Sequence, residues 1–167
     1  MTTIAISLHM GGPRSFDISR FGRWIEPPTV PGERIDLTDV MALDDSGIVP
    51  RVHVNLVQPV TLPHSIQKLE RHPRASQAFM PLDVARYMVL VAGTRDDGHP
   101  DLDDLHAVLM PGNVGVCYAP GTWHMGATVL DRPGNFTVLW PRLPDGPDGG
   151  PGDTEIATLE RPVRIEG

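Results

Sequence analysis

The sequence predicts a mainly β protein built as one domain, residues 1–167, and three observations predict it. The 167 residues include 18 Pro and 17 Gly, too frequent a punctuation for long helices, because each Pro removes a backbone donor and each Gly weakens an element interior. Apolar residues make up 40% of the chain, enough for one sizeable core at this length. Short alternating or apolar runs recur between turn signals, the pattern of a small closed barrel or sandwich with at most a few short helices.

The elements follow in order. Phe16, Ile18, Phe21, Trp24 and Ile25 precede Pro27-Pro28 and read as an entry segment covering one end of the core, with helix and strand both open for it. Residues 31–50 carry Glu33, Asp36, Asp39, Asp44 and Asp45 and close on Asp45-Ser46-Gly47, predicting one or two edge strands with loops. Val52, Val54 and Leu56 alternate with His53 and Asn55 as in a half-buried strand that Pro59 ends. Residues 66–72 are extended because Pro73 biases His72 away from helical backbone. Residues 77–82 and 87–92 follow as strands, and the second, apolar on both faces, belongs at the centre of a sheet.

Residues 93–101 read as a polar loop, and Asp101 as the cap of one helical turn through Leu105, with residues 107–110 extended and Pro111-Gly112-Asn113 turning the chain. Val114, Val116 and Tyr118 mark another strand, which places Cys117 in the core as an inert thiol. Residues 127–130 and 136–140 flank Asp131-Arg132-Pro133-Gly134 as a predicted hairpin. Residues 144–153 contain only Pro, Asp and Gly and are expected to be a mobile loop. Ile156, Leu159, Val163 and Ile165 predict a final strand.

Charge and cysteine usage narrow the function classes. A formal net charge of -7 with scattered basic residues argues against nucleic acid and for a small-molecule ligand. The one cysteine permits no intrachain disulfide, the first dozen residues lack the pattern of a secretory signal, and no apolar run reaches the ~20 residues that span a bilayer. A cytoplasmic protein is the expectation.

Chemistry concentrates at two places. Glu70 and His72 stand two apart on a predicted strand and project from one face. Gln77 follows after Pro73 and a short polar stretch, within reach of a turn into the next strand. His124 follows Pro120-Gly121-Thr122-Trp123, a tight turn that delivers it to the start of a strand. Neutral imidazoles with carboxylate and amide oxygens form a ligand set that suits nickel, manganese, iron or zinc without choosing among them.

Glu70-x-His72-x4-Gln77 and Gly121-x-x-His124 resemble in spacing the two metal-binding motifs of cupins. Leu69-Glu70-Arg71-His72-Pro73 with Gln77-Ala78-Phe79-Met80-Pro81 resembles the signature of the ureidoglycolate lyase family. Asn55, Gln58-Pro59, Leu62-Pro63, Gly115-Val116, Tyr118 and Trp123-His124 extend that resemblance, as do Phe21-Gly22 and Ile25-Glu26, over roughly residues 15 to 140. It implies a cupin-type, jelly-roll-like β-barrel that forms a homodimer and splits ureidoglycolate, a small acid, into glyoxylate and urea in purine (allantoin) catabolism. A divalent transition metal, nickel in the first instance, is implied with it. The chain departs from the family pattern at Leu56, where an Arg is usual, at Met125-Gly126, where the family reads His-Pro, and at residues 33–42, which hold no clear counterpart of the family's Asn/Gly-rich segment with a downstream Arg.

The expected roles are Glu70, His72 and His124 as catalytic groups and Asn55 and Gln77 as substrate contacts, with His72, Gln77, His124 and Glu70 as the metal set; Glu70 is open as ligand or base. Arg71 faces the other way and is assigned to solvent or a subunit contact, and His64, His99 and His106 to solvent. Two other readings stay open: a non-catalytic cupin that binds a different small acid, and a metal-dependent isomerase or dioxygenase.

Overall fold

The structure is a computed structural model that describes residues 5–38, 49–141 and 152–167. Among these the chain forms strands β1 (Ile6–His9), β2 (Gly22–Ile25), β3 (Val52–Val57), β4 (His64–Arg71), β5 (Gln77–Pro81) and β6 (Arg86–Thr94), then β7 (Pro100–Pro111), β8 (Gly115–Tyr118), β9 (Trp123–His124), β10 (Thr128–Leu130), β11 (Gly134–Leu139) and β12 (Glu155–Glu166). Helix is confined to one 3-10 turn, Pro13–Ser15. The mainly β expectation holds. The strands form two sheets, a jelly-roll-like sandwich compatible with the cupin fold rather than one barrel closed by pairing.

The larger sheet runs β1-β12-β4-β9-β6-β10 with β7 also on β6, and the smaller runs β2-β8-β5-β11-β3. Their facing surfaces bury one core, built from Val89, Val91 and Val129 of the larger sheet and Phe79, Val116 and Phe136 of the smaller. A second core lies on the other face of the larger sheet, around Leu69, Leu90, Trp123 and Val163. Beyond β1, Gly11 bridges Val108 of β7, so the larger sheet curls back over that second core. β6 therefore has no solvent face: Tyr87, Val89 and Val91 point into one core and Met88, Leu90 and Ala92 into the other, as its unbroken apolar run predicts.

Three expectations are corrected. The helical turn at residues 101–105 is instead part of the continuous strand β7, whose pairing with β6 shifts between Ala92 opposite Leu105 and Gly93 opposite Asp101. Asp101 does accept a backbone bond, from Asp103 N–H at 3.0 Å; an Asx turn inside a bulge carries the same local signal as a helix cap. Residues 128–139 are not a hairpin, since β10 pairs β6 in the larger sheet and β11 pairs β3 and β5 in the smaller. Asp131, at φ 68°, turns the chain from one sheet to the other. On β3 the apolar set is the outer one: Val52, Val54 and Leu56 are exposed, while Asn55 stands opposite fully buried Phe136.

The entry segment resolves as strand at residues 22–25. Residues 31–38 carry no strand, and the rest of that acidic stretch, 39–48, lies outside the described residues, as do 144–151 of the Pro/Asp/Gly segment. Its last residue, Asp153, is buried.

Candidate active site

Strand parity decides which side chains meet. On β4, Leu69 points into the second core, so Glu70 and, two residues on, His72 face the smaller sheet. On β9, Trp123 points into the second core and His124 to the opposite face. Glu70 and His124 stand directly opposite each other in the β4–β9 ladder. From the facing sheet, Gln77 opens β5, opposite Tyr118 of β8. The turn that delivers His124 is tied to His72, since Gly121 N–H donates to the His72 carbonyl at 2.8 Å. Gly121 holds φ +78°, the left-handed region a glycine enters without strain.

The ligand-type atoms of Glu70, His72 and His124 all lie within 4.8 Å of one another. His124 Nδ1 lies 2.8 Å from the Thr122 carbonyl and His72 Nδ1 3.0 Å from the Asp153 carbonyl. A carbonyl only accepts, so each Nδ1 carries its proton and each Nε2 presents a lone pair in the neutral ring. His124 Nε2 faces Gln77 Oε1 at 2.9 Å and Glu70 Oε1 at 3.5 Å. His72 Nε2 is buried with no hydrogen-bond partner. Four acceptor atoms thus converge on one region, an arrangement that calls for a positive centre. Two ligands about 2.1 Å from one cation at right angles stand about 3 Å apart, and the observed spacings bracket that value. The residues present fit a divalent cation, with both imidazoles oriented by backbone carbonyls as metal-binding histidines commonly are.

The electrostatics separate the two ends of the cluster. Burial pushes the His72 pKa down to about 4, reinforced by neighbouring His124 and only partly opposed by the Asp153 carbonyl, Glu70 and Gln77, which keeps the ring neutral and available as a ligand. Without a cation in the cluster, Glu70 is held below the usual carboxylate value, first by the hydrogen bond His124 donates when its Nε2 takes up a proton and then by the charge of the two imidazoles, against the opposing effect of burial. Its side chain is 32% exposed while His72, Gln77 and His124 are buried, so Glu70 marks the side from which solvent reaches the cluster.

Two walls had no signal in the local sequence. The Tyr118 ring stacks on His124, centroids 4.1 Å apart and 18° from parallel, and Trp140 packs on His72 at 4.7 Å. Strand parity alone could have placed Tyr118, which shares the inward face with Val116; Trp140 lies beyond the end of β11 and meets His72 only through tertiary packing.

Asn55 is not brought to the cluster. Phe136 stands opposite both Asn55 and Pro81, and Pro81 is four residues along β5 from Gln77, about 13 Å at the rise of a strand. Of the departing positions, Gly126 lies beside the site, where a Cβ would stand 3.9 Å from Glu70 Oε1, while Met125 and Leu56 lie outside it. Met125 packs into the second core, on the face that Trp123 takes, and Leu56 is exposed on the outer face of β3. Arg71 covers Trp123 and pairs with Glu155 instead of standing free in solvent. His106 bonds Asp104 at 2.8 Å, away from the cluster. Cys117 is a core thiol, as expected, with burial pushing its pKa up to about 11.

Comparison with known proteins assigns the chain to a family. The model of the family described as ureidoglycolate lyase matches residues 31–166. The chain is 38% identical over 104 residues to a ureidoglycolate lyase of Burkholderia mallei (strain NCTC 10229), a match covering 62% of this chain and 59% of that protein. It is 39% identical over 105 residues to one of Burkholderia cepacia, 62% and 57% of the two chains. For one of Escherichia coli O1:K1 / APEC it is 41% over 88 residues, 53% and 54%. In each case the match spans less than two thirds of the relative's own length. With a family match running through nearly all the described strands, and the converging Glu70, His72 and His124 within it, this chain belongs to the ureidoglycolate lyase family.

Proposed function

We propose that the protein cleaves ureidoglycolate to glyoxylate and urea, the carbon–nitrogen lyase step by which purine (allantoin) nitrogen is recovered. The observation that carries the reading is the convergence of Glu70, His72 and His124 within 4.8 Å, with Gln77 on His124, in a member of this family. The reaction moves one proton: the carbinol O–H is lost, the C–N bond breaks as the C=O forms, and the urea nitrogen gains the proton. Glu70 is suited to carry it, being held ionised beside two imidazoles and open to solvent. It takes the hydroxyl proton and returns it to the departing nitrogen.

His72, His124, Gln77 and Glu70 would hold the divalent metal, nickel or a similar ion. When bound, such an ion supplies Lewis-acid polarisation of the substrate's hydroxyl and carboxylate. The residues do the rest. The carbonyls of Thr122 and Asp153 fix the two ring orientations, Tyr118 and Trp140 wall the rings from water, and Gln77 offers an amide to the substrate's ureido group. A low local dielectric strengthens each of these contacts.

The same reading makes the protein a cytoplasmic homodimer of one cupin-like domain, residues 1–167. Val52, Val54 and Leu56 are exposed on the outer face of β3, an edge strand of its sheet, and an apolar edge of this kind is met by a second copy across a two-fold axis. The test of function is urea release from racemic ureidoglycolate by protein of measured metal content. Release above the spontaneous rate that disappears in His124→Ala supports the reading, and its absence from metal-loaded wild type rejects it.

A further inference from the structure

His124 sits on the weakest strand of its sheet. β9 has two residues, with one paired position on β4 and two on β6, so its ladder gives little resistance to displacement. What the ladder lacks, the back face supplies. Trp123, one residue before His124, is buried and donates its indole N–H to the Gly98 carbonyl at 3.2 Å. The Arg71 guanidinium lies over the Trp123 ring, its central carbon 4.5 Å from the centroid. The same guanidinium is held by Glu155 of β12, with Nε at 2.7 Å and Nη2 at 2.6 Å from one carboxylate oxygen. Arg71 and Glu155 stand opposite each other in the β4–β12 ladder.

We propose that Arg71 is a positioning residue for His124: clamped by Glu155, it presses Trp123 onto the sheet and so holds His124 at the distance from Gln77 and Glu70 that the site requires. The clamp crosses three neighbouring strands, β12, β4 and β9, and its chemistry suits Arg over Lys, because a planar guanidinium stacks on an indole while its edge meets a carboxylate. The side chain is 20% exposed, so the ion pair is partly shielded from solvent. The proposal rests on the lyase reading for its activity readout and not for its structural one.

The test uses the full chain, free of metal, labelled with ¹⁵N-histidine. In wild type the His124 and His72 ring Nδ1 protons, each facing a backbone carbonyl, give protected signals. Arg71→Met keeps an apolar stem over Trp123 and removes the charge and the fork; in it the His124 ring proton is expected to broaden or exchange faster while that of His72 persists. With metal and ureidoglycolate, kcat is expected to fall on the order of tenfold, the cost of a small misplacement of a reacting group, with a smaller change in KM. Glu155→Gln, altering a half-exposed partner outside the core, is expected to speed His124 ring-proton exchange in the same sense, and decides the matter should Arg71→Met fail to fold. An unchanged His124 ring signal in either folded variant overturns the proposal. So does equal loosening of both rings together with the core amides, which marks general destabilisation. Absence of urea release from wild type rejects the lyase reading, and the ring-proton arm then still decides the clamp.

Discussion

Replacing Met125 by histidine separates the pocket from the sequence pattern around it. The family carries a histidine there, so a reading from pattern alone expects Met125→His to complete a ligand set and tighten metal binding. The structure places Met125 in the second core with Leu90, Leu130 and Trp123, 7% exposed, on the opposite face of its strand from His124. A histidine there gives up part of the ~1.5–3 kcal/mol that a buried methionine contributes and places an imidazole N–H among apolar neighbours, costing about 1–3 kcal/mol. Loss of about 2 kcal/mol or more follows, which for a chain of this size lowers Tm by about 4–8 °C. Thermal melts and calorimetric titration with Ni²⁺ measure both quantities on the same sample. The expected result is the fall in Tm with unchanged metal stoichiometry and no gain in affinity. Tighter metal binding without loss of stability would refute the placement of Met125 and with it the argument that the pocket is intact.

Other consequences are as direct. Cys117 is buried with its pKa pushed up to about 11, so the native protein should not react with a thiol reagent at pH 8 and should react fully in denaturant; rapid native labelling contradicts the burial. His72, with a folded pKa near 4 against 6.5 unfolded, makes the unfolded state the better proton binder between those values. Its stability contribution is therefore present above pH 6.5 and lost as pH falls towards 4, a loss of about 3 kcal/mol as an order of magnitude. Urea denaturation of metal-free wild type and His72→Gln at pH 7 and pH 4.5 should show a drop that is larger in wild type by an amount of that order. Val54→Glu, on the exposed face of β3, should turn the proposed dimer into a monomer by light scattering; a wild-type monomer removes the dimer from the account.

The elements read correctly from sequence are those whose local pattern and tertiary role coincide. The doubly apolar run of β6 announced a strand buried on both faces, and the spacing of Glu70 and His72 placed both on one face of β4. The misreadings share a cause: a local pattern compatible with two tertiary outcomes. Alternation on β3 defines two faces and not which is inward, and here the apolar set Val52, Val54 and Leu56 is the outer one, while Asn55 stands opposite Phe136 and Val57 packs against the first core. The turn at Asp131 would serve a hairpin as well as a crossing between sheets; only the competing partners β6 and β5 decide. Asp101 makes the local bond of a helix cap inside a bulge. Tyr118 and Trp140 meet the histidines through contacts of long sequence separation, with no motif to announce them. Strand parity gives the face on which Arg71 stands, while what it touches there, Trp123 and Glu155, depends on how β12 and β9 flank β4.

The central claim is that the converging Glu70, His72, Gln77 and His124 form a working lyase site despite Leu56 and Met125. Urea release from ureidoglycolate by metal-analysed wild type, His124→Ala and Glu70→Gln tests it most directly. Release well above the spontaneous rate is expected in wild type and its loss in both variants, with Glu70→Gln retaining more metal than His124→Ala. Release that survives either substitution, or a metal-loaded wild type that produces no urea, would contradict it.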